Sequence, residues 1–193
     1  MHDPEFRAAL QRYARVRDVV FDVAWESASR RLHVDAPFRF APIDQGTLDV
    51  WRASWTTPHP FRYGGWDWNA IVYPIWRRPA GLALAVWSAD RLCGLLAGRP
   101  SKRRSDGRRH TLSLYYLEGN PDREHPLRGH VADLALGAAE LYGRALGASR
   151  VRLVEPLPGV HRIYKRLGYG IVQNRGSRVY FEKRMDAHAQ ARS

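Results

Sequence analysis

The sequence is poor in cysteine: Cys93 is the one thiol among 193 residues. A lone thiol excludes an internal disulfide and any zinc site built from several thiolates. Cys93 lies in the apolar stretch 92–96, a setting typical of a small buried hydrophobic side chain. Because the chain relies on no disulfide, we expect a protein of the cytoplasm.

Long apolar runs are missing as well. No stretch reaches the roughly 18 apolar residues of a membrane span, so the sequence predicts no contact with a membrane interior. Segment 1–5 lacks a basic stretch followed by an apolar one, and we expect no secretory signal. The length suits one domain, which we divide into a helical extension (1–36), a core (37–184) and a frayed tail (185–193).

Acidic residues are outnumbered, 19 against 31 lysines and arginines, which gives a formal net charge of +12. Such a charge favours anionic partners: nucleic acid or a phosphate-bearing ligand. A solvated basic surface explains it equally well. The eight histidines show neither His-x-His nor His-Glu-x-x-His spacing, so we predict no metal site.

Hydrophobic periodicity divides the chain into elements. An amphipathic helix is predicted over 5–28, with Asp3 and Pro4 at its start. Strands are predicted over 38–43, 82–87, 92–97, 111–117, 151–154 and 179–181, and further helices after Asp44, along 131–145 and over 160–167. The interrupted aromatic segment 51–76 is interpreted as a loop. The strand–helix–strand order after residue 111 predicts one parallel pair in a mostly antiparallel α+β sheet.

One short segment carries a family resemblance. In Ile163–Tyr169 a tyrosine precedes two residues, an apolar residue, glycine and an aromatic residue, and a glycine-then-strand segment comes before it at 147–153. Together with the element order of 82–183, this resembles the GNAT superfamily of acyl-CoA-dependent N-acyltransferases. The resemblance implies a mixed central sheet with helices on both faces, here with an extra N-terminal helix.

The resemblance implies acetyl-CoA or another acyl-CoA as co-substrate and an amine as acceptor, with no metal. The cofactor would meet the strand end and the helix start, through these residues: Tyr116, Leu117, Arg128, Gly129, His130, Val131, Ala132 and Asp133. The family loop reads Gln/Arg-x-x-Gly-x-Gly/Ala. With Arg128 in first place, Val131 and Asp133 occupy the glycine positions, where they would narrow the approach to a pyrophosphate and repel it. Either CoA binds in an altered way or the domain has lost it.

Acyl transfer from a thioester to an amine needs an acid for the thiolate, a base for the amine and donors for the oxyanion. By resemblance Tyr164 is the acid. Glu118 closes a predicted strand and is the candidate base, directly or through water. Backbone N–H groups near Tyr116 and Leu117 would be the oxyanion donors. No Ser or Cys nucleophile stands out, so direct transfer is preferred.

Four tryptophans are candidates for the acceptor wall: Trp51, Trp55, Trp66 and Trp68. Clustered aromatic residues are also typical of a core. The acceptor would be an amine, with an anionic or nucleic-acid-linked one suiting the charge. Two other hypotheses stay open. A GNAT-like module without catalysis would bind nucleic acid or another polyanion through the basic stretch 102–109. Alternatively, the N-terminal helix would serve a homodimer contact.

Overall fold

The computed structural model describes residues 3–57, 64–102, 111–173 and 178–185. In chain order its elements are α1 Pro4–Arg31, β1 Arg39–Pro42, α2 Gln45–Ser54, α3 Trp68–Trp76, β2 Leu82–Ser88, β3 Arg91–Pro100, β4 Thr111–Gly119, α4 Val131–Ala145, β5 Arg150–Val154, a 3-10 turn Pro158–Val160, α5 His161–Arg166, β6 Gly170–Gln173 and β7 Val179–Arg184.

The strands form a seven-stranded sheet in the order β1-β2-β3-β4-β5-β7-β6. β4 and β5 run parallel, and the other neighbouring pairs are antiparallel. The predicted fold class, a mostly antiparallel mixed sheet with one parallel pair, is therefore confirmed. Helix boundaries agree where local signals are strong: the Asp3 side chain caps α1, and Gly147 takes a φ of 69° after α4.

Alternating side chains of the sheet build two cores. On β2, Leu82, Leu84 and Val86 point to one face. There they meet α1, α4 and α5, and we call this the α4 face. Ala83, Ala85 and Trp87 point to the opposite face, where α2 and α3 cover them, and we call this the α2/α3 face. Helices therefore lie on both faces of the sheet, as expected.

One α-helix and one strand were not predicted. The segment 51–76 is not a loop throughout, because it contains α3, which Asp67 caps by accepting from the Asn69 N–H at 3.0 Å. Pro74 lies inside this helix and argues against one in the sequence. The apolar stripe of α3 packs on the α2/α3 face, and this packing outweighs the local signal of the proline. β6 was missed because four residues are too few to show a periodic pattern. The strand forms through its pairing with β7, which depends on the tertiary structure.

β4 and β5 pair over only part of their length. They pair only from Thr111 with Arg150 to Leu114 with Leu153, whereas β4 continues to Gly119 against β3 alone. The β3–β4 register shifts between Ala97 and Gly98, which leaves Tyr115 as an extra residue. Such a bulge bends its strand. We call the resulting gap between residues 115–119 of β4 and the end of β5 the cleft.

Gly98 allows this bulge, and we predict that Gly98→Ala destabilises the protein. A Cβ there would lie 2.6 Å from Leu114 Cδ2 and 2.7 Å from the Ser113 carbonyl oxygen. Overpacking of this kind costs about 1–3 kcal/mol, which lowers the thermal midpoint by roughly 2–4 °C per kcal/mol in a chain of this size.

Gly46→Ala is the matched control for this measurement. Its Cβ would meet nothing closer than Asp44 Oδ1 at 3.5 Å, and alanine favours the helix in which Gly46 lies. We expect its midpoint to stay the same or rise. Equal midpoints for the two variants in a thermal melt would contradict the role given to Gly98.

Candidate active site

The backbone of β4 presents a donor to the cleft. The Asn120 N–H donates to the Cys93 carbonyl at 2.9 Å, which fixes the alternation along the β3–β4 ladder. By this alternation the N–H groups of Tyr116 and Glu118 face β3, while that of Leu117 faces the cleft. Of the two backbone donors predicted from the sequence, the geometry therefore offers Leu117.

The start of α4 lies beside the cleft. Val131 opens the helix, and His130 occupies the N-cap position without a side-chain capping bond. The N–H groups of the first turn are thus left for a ligand or water, at the positive end of the helix dipole. Gly129, with a φ of 82°, turns the chain into this start, and the preceding turn is closed by the Arg128 N–H on the His125 carbonyl at 3.1 Å.

Val131 does not point toward that ligand position. Its side chain is buried against the sheet, where Gly94 of β3 and Gly119 of β4 lie opposite each other. A Cβ at Gly94 would come within 2.3 Å of Val131 Cγ1. The valine therefore fills the space above two glycines, and the narrowing expected from the sequence does not arise from its side chain.

The other residues of the helix start divide by exposure. Asp133 lies 3.4 Å from Arg166, which offsets its charge, and Arg128 is exposed. Ala132 and His130 are partly exposed. Lys102 is exposed, and the rest of the basic stretch 102–109 lies outside the described residues.

His125 supplies no surface charge. The side chain is buried, and its Nδ1 has no hydrogen-bond partner within the described residues. Burial lowers the pKa of His125, and the positive charge of Arg91 lowers it further. Both effects favour the neutral form of this imidazole in the loop before α4.

Tyr164 lies on α5 and belongs to the core of the α4 face. Its ring packs at 6.5 Å from Tyr169 and 6.2 Å from Phe181, centroid to centroid. Burial raises the pKa of Tyr164 to about 12. The phenol consequently keeps its proton at neutral pH, as a proton donor must.

Glu118 lies on the opposite side of the sheet. Its carboxylate accepts from the Gly65 N–H at 2.5 Å and from Trp68 Nε1 at 2.6 Å, and it is 4% exposed. Burial raises the pKa of Glu118, while these donors and the Trp66 backbone lower it in part. The two predicted catalytic side chains thus belong to different faces of the sheet.

The four candidate tryptophans all join the core of the α2/α3 face, but in different ways. Trp66 is partly exposed and meets Tyr116 edge to face at 5.4 Å. Trp51 and Trp55 are also partly exposed. Trp68 is fully buried, so it supports this wall from behind and presents no ring face to an acceptor.

A functional candidate that the sequence analysis missed is Glu155. The chain leaves β5 there with a φ of 48°, which ends the strand at the edge of the cleft. Its carboxylate is exposed and 3.7 Å from Arg178. The sequence signal available was the Glu155-Pro156 pair directly after an apolar strand, because proline lacks the N–H that would continue the sheet ladder.

A groove of about 480 Å³ lies apart from the cleft, on the outer side of α4. α1 borders it on one side and the end of α5 on the other. Its two carboxylates are already paired, Asp133 with Arg166 and Glu140 with Lys183. The groove therefore does not enter the chemistry considered for the cleft.

Across the described ranges no group of three or more His, Cys, Asp or Glu side chains is arranged to hold a metal ion. Nor does any helix in the described part of the chain combine the length and apolar character that a membrane span requires.

No family model matches the sequence. No curated protein matches it either. Solved structures match it in fold. The GNAT domain of S. lividans PAT has a TM-score of 0.56 at 13% identity, covering 77% of this chain and 90% of its own. The Salmonella typhimurium protein yncA, solved with its cofactor acetyl-CoA, has a TM-score of 0.53 at 13% identity, with 79% and 96% covered.

Arabidopsis thaliana Naa50, in complex with the bisubstrate analogue CoA-Ac-MVNAL, has a TM-score of 0.50 at 13% identity, with 76% of this chain and 97% of its own covered. At these identities the similarity shows a shared fold: the mostly antiparallel mixed sheet flanked by helices that the sequence resemblance implied.

The packing of Val131 over Gly94 predicts a coupled pair of substitutions. Gly94→Ala alone should lower the free energy of unfolding by about 1–3 kcal/mol, since its Cβ collides with Val131 Cγ1. Combined with Val131→Ala it should cost less than the sum of the single changes, and urea melts of the four proteins measure this coupling. Additive costs would show that the helix start does not rest on these glycines.

Proposed function

We propose that this chain, which has the fold of the GNAT acetyltransferases, transfers an acyl group, most simply acetyl, from acyl-CoA directly to an amine. The observation that carries the proposal is the cleft, where a free strand N–H at Leu117 meets the uncapped start of α4. The acetyl-CoA bound to yncA and the bisubstrate analogue bound to Naa50 support it by fold.

The residues present fit a CoA ester. The first-turn N–H groups of α4, the Arg128 guanidinium and the His130 ring suit its phosphates as hydrogen-bond donors. Gly129, where an added Cβ would meet nothing within 4 Å, leaves room beside the backbone. The Leu117 N–H would donate to the thioester carbonyl oxygen and stabilise the negative charge that develops there.

Tyr164 would supply the proton for the departing sulfur. The amine nitrogen forms its bond to the carbonyl carbon, the carbon–sulfur bond breaks, and the thiolate takes the phenol proton. The proton that the amine loses returns to Tyr164 through solvent. Both oxygens of Glu118 are already engaged by the Gly65 N–H and the Trp68 indole, so neither is directed at an amine in the cleft. We therefore assign Glu118 a positioning role instead.

The acceptor would approach from the α2/α3 face, where Trp66 and Tyr116 border the cleft. The cofactor would occupy the α4 face, because the uncapped helix start lies there. The net charge of +12 suits an acceptor that carries negative charge beside its amine.

We expect saturable binding of acetyl-CoA in a calorimetric titration at moderate salt. Replacing Arg128 and His130 together by alanine should weaken binding roughly tenfold or more, because charge-assisted hydrogen bonds to phosphate are lost. Arg15→Ala with His33→Ala removes the same residue types from exposed positions on and after α1, and should leave the affinity unchanged.

Absence of binding up to millimolar acetyl-CoA would defeat the proposal. Strongly salt-dependent affinity for nucleic acid in that same protein would then favour the binding-module alternative.

The role of Tyr164 predicts a selective loss of rate. Tyr164→Phe should lower kcat roughly 10²-fold while the Kd of acetyl-CoA stays within a factor of about two, because a ring of the same shape remains. The rate is followed by thiol release from acetyl-CoA with a panel of primary amines. Since the pKa of Tyr164 is about 12, the wild-type rate should not fall between pH 8 and pH 10 through ionisation of this phenol.

Tyr169→Phe is the matched control. It removes a buried hydroxyl that donates to Glu140 at 3.0 Å in the same aromatic cluster, and it should affect stability more than rate. Equal loss of kcat in the two variants would argue for a packing role of Tyr164.

A further inference from the structure

Glu118 fastens the aromatic segment to β4. Its oxygens accept from the Gly65 N–H and the Trp68 indole, and the Trp66 backbone N–H also acts on this carboxylate. One strand residue thus holds three positions of a segment that is 50 or more residues away in the chain. Because the carboxylate is buried, the loss of any of these donors would leave its charge with too few hydrogen bonds to offset the cost of burial.

This fastening places Trp66 at the cleft. The indole meets Tyr116 edge to face at 5.4 Å, and Tyr116 directly precedes Leu117, whose N–H faces the gap. Trp68, fully buried at 6.5 Å from the same tyrosine, supports Tyr116 from below. The indole of Trp66 is therefore held by its contact with Tyr116 and by the interaction of its own backbone N–H with Glu118.

The position of Trp66 bears on any ligand group that extends through the cleft. On the proposed function, a CoA ester whose phosphates lie at the α4 start would have its thioester at Leu117. Its acyl group would then lead away from the α4 face, toward the α2/α3 face. The first side chains on that side are Tyr116 and the indole packed on it.

Resting on the proposed function, we propose that Trp66, held against Tyr116 by Glu118, narrows the cleft on the α2/α3 face beside the path of the acceptor and restricts the acyl group to short chains. Acetyl fits in front of the indole, whereas a chain of six carbons would need the space that the indole occupies. Trp66 is in this sense a specificity-determining residue, and Glu118 is a positioning residue that acts through it.

The test compares the Kd values of acetyl-CoA and hexanoyl-CoA by calorimetry on the full-length protein. The wild type should bind acetyl-CoA more tightly than hexanoyl-CoA. Trp66→Ala should raise the affinity for hexanoyl-CoA roughly tenfold or more relative to acetyl-CoA, because four further methylene groups gain an apolar space.

Two further variants separate position from general stability. Glu118→Gln replaces one accepting oxygen by an amide NH₂ that faces a donor, so it should shift the preference in the same direction as Trp66→Ala, by a smaller factor. Trp51→Ala removes another half-buried indole from the same core. Among the described residues its ring makes no aromatic contact with Tyr116, unlike the rings of Trp66 and Trp68, so Trp51→Ala should destabilise the protein without changing the ratio of the two Kd values.

Equal wild-type affinity for the two esters, or an unchanged ratio in Trp66→Ala, would overturn the restriction while leaving the proposed acyl transfer intact. A ratio shifted as much by Trp51→Ala as by Trp66→Ala would reduce the effect to loosened packing and would equally overturn it. Failure of every variant and of the wild type to bind either ester would remove the proposed function itself.

Discussion

The site depends on the bulge at Tyr115, which Gly98 makes room for. The bulge bends β4 where its pairing with β5 stops, and the Leu117 N–H is left outside the β3–β4 ladder. A free backbone donor inside a sheet is costly unless something satisfies it. The fold keeps one here because β5 ends at Val154 and turns away at Glu155, so no strand is left to pair with it.

The position of α4 follows from the same strands. Two glycines opposite each other on β3 and β4 let Val131 approach closely, and this brings the first turn of the helix to the open end of the cleft. The two residues that depart from the family loop therefore have structural roles. The Val131 side chain packs on the sheet, and the negative charge of Asp133 is offset by Arg166. What remains toward the cleft is backbone, which suits an anion irrespective of side chain.

Glu118 links the two halves of the structure at a cost. Burial disfavours its charge and raises its pKa, while donors from the aromatic segment stabilise the carboxylate. Removing one partner of such a buried group is more damaging than replacing the whole arrangement. The strand that carries the free N–H and the tryptophans that border it are consequently fixed as one unit, independent of the buried phenol on the α4 face.

The sequence by itself determined the elements with strong local signals. These include α1 behind Asp3 and Pro4, the β2–β3 hairpin, the apolar stripe of α4, the parallel pair, and a tyrosine on the helix after β5. Only the tertiary structure decided the rest: α3 despite Pro74, the short β6, the bulge, the inward direction of Val131, and the placement of Glu118 and Tyr164 on opposite faces. Periodicity and capping act over a few residues, whereas register, bulges and side-chain direction are set by strands that meet from distant parts of the chain.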